Sequence, residues 1–555
     1  MDKKKKKQKR LDRIGIACGI LLVVLAIFSI VAGNAAPVAG VKDSEIPENA
    51  VTLTGTADGR NGPMTVEVIA DSEKIYRISV TEHQETEGIG TEAVRQLPAA
   101  MFQAQNVSQV DAVSGATISS SAIRSAMTSA LTSAEAKEAG INPKTFGANP
   151  VKVELVALHP DVDALKDDGG RIRVLTHGDW EEQYPNQVRT WKQNEENAGQ
   201  TDYLADYPML STLYYKYGFA FDYKAARGHM FDVEDISETA RPHGKASCWT
   251  CKTPYYTALV LQEGNAAYAM GFEDVRAQVE GEPIGCFNCH ANDPGQGITV
   301  THTYLIDGVG EDFDSIDAAN LACGQCHNEY FFNPAIAEKP TTLPHNSLES
   351  MHPDAILAFF NDPANFNTEA NPDAGKSFAD YTNPYTGVRQ IKVQHPELET
   401  FLGEGSQHRN TYSCADCHMG TAKDENGKTF SNHFLTNPTE NQELIDRECS
   451  KCHADLAADV RKIQEDVERR TYAVGYELMY LTERLAAVKD SGTYTEQRLE
   501  EIRQLARDAQ FYWDFVFVEN SEGAHNSKLT YYCLDKAEEL CNQAMMLFDP
   551  IIAEP

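Results

Sequence analysis

The chain has 555 residues, a formal net charge of −33 and thirteen cysteines, ten of them in five C-x-x-C pairs. Eight Lys and Arg against two Asp give the first thirteen residues a net +6, which leaves the remainder at −39. A body this acidic excludes nucleic-acid binding as its main task, and the length predicts several domains.

The basic start, Lys3–Lys7, Lys9, Arg10 and Arg13, precedes an uncharged apolar run, Ile14–Gly33. Twenty such residues can span a bilayer as a helix, and the basic flank places the N-terminus in the cytoplasm. Residues 1–40 therefore read as a tail and single-pass anchor, with the rest extracytoplasmic. A cleaved signal peptide is the alternative, given the small residues Gly33–Ala36. Residues 41–140 follow with strand-like alternation at Val51–Leu53 and within Met64–Val80, a turn at Asp58–Gly62, and a small-residue helix from Ala122 to about Ala136. Glu85-Thr86-Glu87-Gly88-Ile89-Gly90 and Asp111-Ala112-Val113-Ser114-Gly115-Ala116-Thr117 together resemble the FMN-binding domains of flavin-carrying membrane redox subunits. The resemblance implies a small α+β domain, Thr117 as the covalent FMN attachment point, and Asp111 as part of the attaching enzyme's recognition motif. Residues 141–172, rich in Asn-Pro and Gly turns, read as a connector.

From 173 to 555 the five cysteine pairs organise the chain. Four are C-x-x-C-H, the form in which two thiols bind a c-type haem and the His ligates its iron. They are Cys286 and Cys289 with His290, Cys323 and Cys326 with His327, Cys414 and Cys417 with His418, and Cys449 and Cys452 with His453. The first copy, Cys248-Trp249-Thr250-Cys251-Lys252, puts Lys where the others have His. The intervals of 38, 37, 91 and 35 residues between first cysteines argue against a repeat fold. The loop-rich stretches between motifs fit a core filled by the haems themselves. Five pairs, four followed directly by His, also outweigh a zinc reading. A Lys must be neutral to bind iron, and the expected result is one haem with an open distal face beside four conducting ones. Leu456–Lys489, Glu496–Phe517 and Tyr531–Phe548 have helical periodicity. They predict a mainly α domain ending in long helices and suited to homodimer packing. Cys533 and Cys541, eight apart on the last of these, are too distant for a disulfide in a regular helix.

One Lys-type and four His-type motifs in this order resemble the ammonia-forming cytochrome c nitrite reductases. Tyr184–Gln187, Ala226–His229, Cys323–Tyr330 and Lys392–Glu397 carry the likeness further. It implies distal ligands His229 for the haem of His327, His433 for that of His290, His408 for that of His453 and His525 for that of His418. His525 stands in a locally divergent loop. It implies Arg241, Tyr330, His395 and Lys252 as catalytic residues, and calcium held by Glu329, the Tyr330 and Lys392 carbonyls and Gln394. The implied reaction is six-electron reduction of nitrite to ammonium, fed by the other haems and FMN from a membrane quinol or flavin donor. Hydroxylamine or sulfite reduction at the same site is an alternative, and so is a purely electron-transferring cytochrome. His83, His159, His177, His243, His302, His345 and His352 are left as hydrogen-bonded structural residues.

Overall fold

In the computed structural model, the described residues are 38–146, apart from 48, 59–61, 87–89, 108–109, 111–112 and 114–115, and 156–548. The apolar run Ile14–Gly33 lies outside them. Among the described residues no helix is long and apolar enough to cross a membrane. The chain divides after residue 150 into two compact units.

The first unit is a four-stranded antiparallel sheet covered by helices. Strands β1 (Val38–Gly40), β2 (Val51–Asp58), β3 (Pro63–Ala70) and β4 (Ile75–Glu82) lie in the order β1-β4-β3-β2. Met64, Val66, Val68 and Ala70 alternate inward along β3 and are buried, as a half-buried sheet requires. β2 and β3 pair in register from Val51↔Ala70 to Asp58↔Pro63, so the Gly-containing turn closes a hairpin. Two helices cover the sheet, α1 (Gly90–Ala104) and α2 (Thr117–Thr132). α2 lies across β2 and β3. A Cβ at Gly55 would run into the backbone of Ala126 and Ala130, so β2 and α2 meet at a distance only glycine permits. α1 was not expected from the sequence, because Pro98 sits inside it; its buried Val94, Leu97 and Met101 outweigh the missing N–H. α2 begins at Thr117, five residues before the expected start. Ile141 and Phe146 belong to this unit's core, while Leu158 bridges to Thr299 in the second.

The second unit is mainly helical. Its C-terminal part is three helices, α3 (Leu456–Val488), α4 (Glu496–Phe517) and α5 (Ser527–Met546). Each has a side-chain cap: Asp455 accepts from Ala458 N, Thr495 from Arg498 N, and Asn526 from Leu529 N. The Asn526 cap starts α5 four residues earlier than its periodicity suggested. Leu478, Leu481, Leu485, Ile502, Trp513, Leu534 and Ala537 form the shared core, and Cys533 and Cys541 are buried free thiols in it. Before α3 the chain runs through short helices and two-residue ribbons that present the cysteine motifs.

Candidate active site and electron-transfer centres

The four C-x-x-C-H motifs each close on a helical turn. Cys286–His290 and Cys414–His418 are single α-helical turns. His327 N and His453 N bond the carbonyls of Cys323 and Cys449 at 3.0 and 2.9 Å, the same helical closure. One such turn puts both thiols and the imidazole on one side, as a porphyrin needs. Capping keeps the turns in place: Ser413 and Asp416 form a reciprocal box, and Asn288 Oδ1 accepts from Gly285 N at 3.0 Å.

Nine of the ten motif cysteines are half-buried. Burial pushes the Cys289 and Cys417 thiols up to about 12. Cys452 is the exposed one. Its motif opens with a single 3-10 turn, Cys449–Lys451, packed on the short helix Gln442–Arg447 at the surface ahead of α3.

The lysine motif is built differently. Lys252 N bonds Trp249 O at 3.1 Å across Thr250 (φ −54°, ψ 134°) and Cys251 (φ 60°). This is a type II turn, whose third residue is ordinarily Gly; holding Cys there costs about 1–3 kcal/mol. Trp249 is fully buried and stacked on Phe272 at 4.7 Å, and His243 stacks on Phe272 at 4.2 Å. That ring stack fixes the turn.

The eight expected haem histidines come together as four pairs. Ring centroids are 6.1 Å apart for His229–His327, 6.4 Å for His290–His433, 6.3 Å for His408–His453 and 6.0 Å for His418–His525. A metal–imidazole bond is about 2 Å and the centroid lies about 1.1 Å behind the nitrogen, so two imidazoles on one metal stand about 6.3 Å apart. The gaps fit an iron between each pair. Second nitrogens are tied back to oxygen. His290 Nδ1 lies 2.7 Å from Gly297 O, His418 Nδ1 3.1 Å from Thr436 O, and His433 Nδ1 3.0 Å from Ser431 O. Carboxylates stand behind three more: Asp459 at 3.1 Å from His453, Glu519 at 2.6 Å from His525, and Glu397 more loosely at 3.9 Å from His327. Such contacts fix the tautomer and leave Nε2 to ligate. Burial lowers His229 and His418 to about 4, and lowers His290, His408 and His433 as well; a ligating imidazole must be neutral. Burial also opposes charge on His327 and His525, but Glu397 raises the first to about 9 and Glu519 raises the second.

The third motif sits at the junction. Cys326 lies beside Cys251 of the first motif, and Cys323 beside Cys414 of the fourth. Gln325 Nε2 bonds Asn288 O of the second motif at 2.7 Å. His302, expected to be structural, stands here: its ring nitrogen and the Cys251 and Cys326 sulfurs lie within 4.8 Å of one another. Both sulfurs belong to attachment motifs, so the cluster fits haem thioethers rather than a separate metal.

Arg241, Tyr330 and His395 gather around the first motif. Arg241 Nε bonds Thr239 Oγ1 at 3.3 Å, Thr239 Oγ1 donates to Asp222 at 2.6 Å, and the guanidinium lies 4.8 Å from the Phe219 ring centre. Burial raises the Tyr330 hydroxyl, and Arg241 is near enough to draw it back down. His395 is lowered to about 4 by burial, against the pull of Glu397 and with His327 and Lys252 adding to it; its Nδ1 is buried with no hydrogen bond, 4.0 Å from Glu397 Oε1. Phe219, Thr239 and Asp222 were not anticipated, since nothing in their local sequence marks them.

The expected calcium residues also meet. Glu329 is fully buried; its Oε2 accepts from Gln394 N at 2.6 Å, while Oε1 has no partner. Gln394 Nε2 bonds the Lys392 carbonyl at 2.9 Å. Burial pushes the Glu329 carboxyl well up, and the nearby Lys392 Nζ is spent on Asp514 at 3.1 Å. An orphaned buried carboxylate oxygen beside a carbonyl and an amide fits a hard cation. His345 supports this site from behind. It is buried, with Nδ1 2.8 Å from Gly308 O and Nε2 2.8 Å from Glu399 Oε1, which in turn accepts Glu329 N at 3.1 Å.

In the first unit α2 opens at Thr117, and its Ser119 side chain bonds Glu85. Asp111 and the Thr117 side chain lie outside the described residues.

A family model described as cytochrome c552 matches residues 177–555, and one described as an FMN-binding domain matches 59–132. The chain is 28% identical over 413 residues to the cytochrome c nitrite reductase subunit NrfA of Nitratidesulfovibrio vulgaris, covering 66% of this chain and 76% of that protein. Among solved structures it resembles the cytochrome c nitrite reductase of Desulfovibrio desulfuricans, known with two calcium sites, at 25% identity and a TM-score of 0.59, covering 67% of this chain and 85% of that one. The chain therefore belongs to the cytochrome c552 family, with an FMN-binding domain matched ahead of the family's region.

Proposed function

We propose that this chain reduces nitrite to ammonium by six electrons at a haem ligated by Lys252, fed by four bis-His haems and by FMN held covalently on Thr117. The observation that carries the reading is the contrast among motifs. Four histidines have a partner imidazole about one iron away, whereas Lys252 leaves a strained turn near Arg241, Tyr330 and His395. When bound, haem supplies electrons and an open iron position, and FMN exchanges one- and two-electron steps.

The protein's own residues do the rest. Lys252 would hold the haem iron through its amine. Arg241 binds the nitrite anion, and its guanidinium is held by Thr239 and Phe219. His395, neutral at ordinary pH, and the protonated Tyr330 hydroxyl supply and orient protons as oxygen leaves and nitrogen is reduced. Glu329, Gln394 and the Tyr330 and Lys392 carbonyls would hold calcium, and Gln394 already ties the Glu329 carboxylate to the segment that carries His395. The apolar run Ile14–Gly33 anchors the protein with both units outside the cytoplasm, where a membrane quinol or flavin is the donor. A second copy packs on α3, whose Tyr472, Tyr476 and Tyr480 form an exposed stripe at helical spacing.

Steady-state reduction with a small artificial donor tests the substrate. Nitrite should give ammonium and the highest kcat/KM; faster turnover of sulfite or hydroxylamine would move the assignment to that substrate.

A further inference from the structure

Three of the proposed histidine ligands have a carboxylate behind them: Glu397 behind His327, Glu519 behind His525 and Asp459 behind His453. Lys252 has one too. Asp232 opens the short helix Asp232–Glu238, three residues after His229, and is buried. Its Oδ1 lies 3.7 Å from Lys252 Nζ. Glu234 and Asp235 on the same helix turn outward and pair with Arg227 at 3.0 and 2.6 Å. Asp232 turns inward instead.

A carboxylate is kept out of water only where something compensates it. Once Lys252 gives its lone pair to iron it is neutral and no longer a cation. Its N–H bonds and the charge of the ferric centre behind it are then what Asp232 meets. This is the arrangement in which an outer carboxylate orients a ligand and raises its donor strength.

We propose that Asp232 is the positioning residue of Lys252, orienting its amine and lowering the reduction potential of the haem that Lys252 serves. The inference rests on the reading of Lys252 as an iron ligand. A fixed negative charge near that iron favours the ferric over the ferrous state, so neutralising it makes the site easier to reduce.

The test is a spectroscopically followed redox titration of the full-length, haem-loaded protein and its Asp232→Asn variant. The high-spin haem should move to a more positive midpoint in the variant, by more than any low-spin haem, and Asp232→Glu should return it toward the starting value. Asp232→Ser, equally neutral and smaller, carries the same expectation if the Asn variant loads haem poorly. A high-spin haem that titrates unchanged in the neutral variants, or a larger shift at a low-spin haem, overturns the proposal. A parent protein with no high-spin haem would instead refute Lys252 ligation, so the two failures are distinguishable.

Discussion

Lys252 differs from the four motif histidines in its backbone as well as its side chain. The positive φ at Cys251 redirects the chain just before the ligand, whereas the histidines end helical turns. The side chains around this residue have separate tasks that kinetics can separate. Arg241→Gln should raise the KM for nitrite and lower kcat/KM by roughly 10²–10³-fold, since it removes the cation that meets the anion. Tyr330→Phe should lower kcat by about 10²-fold with little change in KM, because a proton-handling hydroxyl acts on the reacting state. Steady-state kinetics on haem-loaded variants checks both, and equal effects on KM and kcat in the two variants would contradict the division. Much of this site was legible in the sequence. Covalent haem attachment demands two cysteines and a ligand at fixed spacing, while Arg241, Tyr330 and His395 were named only through the family resemblance. Asp232, Phe219 and the His345–Glu399 pair were not legible. Each acts across a fold contact, and the sequence around it records no spacing that reports the contact. The turn at Cys251 was hidden for another reason, since Trp-Thr-Cys-Lys lacks the glycine that signals type II.

At the scale of elements, the long helices were readable from periodicity, and their ends were corrected by caps such as Asn526. α1 was missed because Pro98 argues against a helix when packing is unknown. The β2–α2 contact offers a clean test. Gly55→Ala places a Cβ against backbone atoms of α2 that cannot move aside. It should destabilise the first unit by about 1–3 kcal/mol and weaken flavin retention, while the haem spectrum stays that of the parent. Differential scanning calorimetry with flavin fluorescence measures this; an unchanged first transition would mean that the helix does not sit this close to the strand.

For the whole molecule, the sequence separated a flavin-type unit from a haem-type unit, and the structure puts their division after residue 150. Thr117→Ala should release the flavin and abolish electron input from a membrane quinol, yet leave nitrite turnover with a small artificial donor intact. Equal loss of both activities would contradict the proposed wiring. Replacing Tyr476 and Tyr480 with Glu should convert a dimer to a monomer in analytical ultracentrifugation, whereas a monomeric parent would refute packing through α3. The central claim is that one iron is open and four are closed. Low-temperature EPR of the oxidised, haem-loaded protein during titration with nitrite tests it most directly. One high-spin ferric haem that changes on adding nitrite, beside four low-spin haems that do not, is the result predicted. Five low-spin haems indifferent to nitrite would contradict the account.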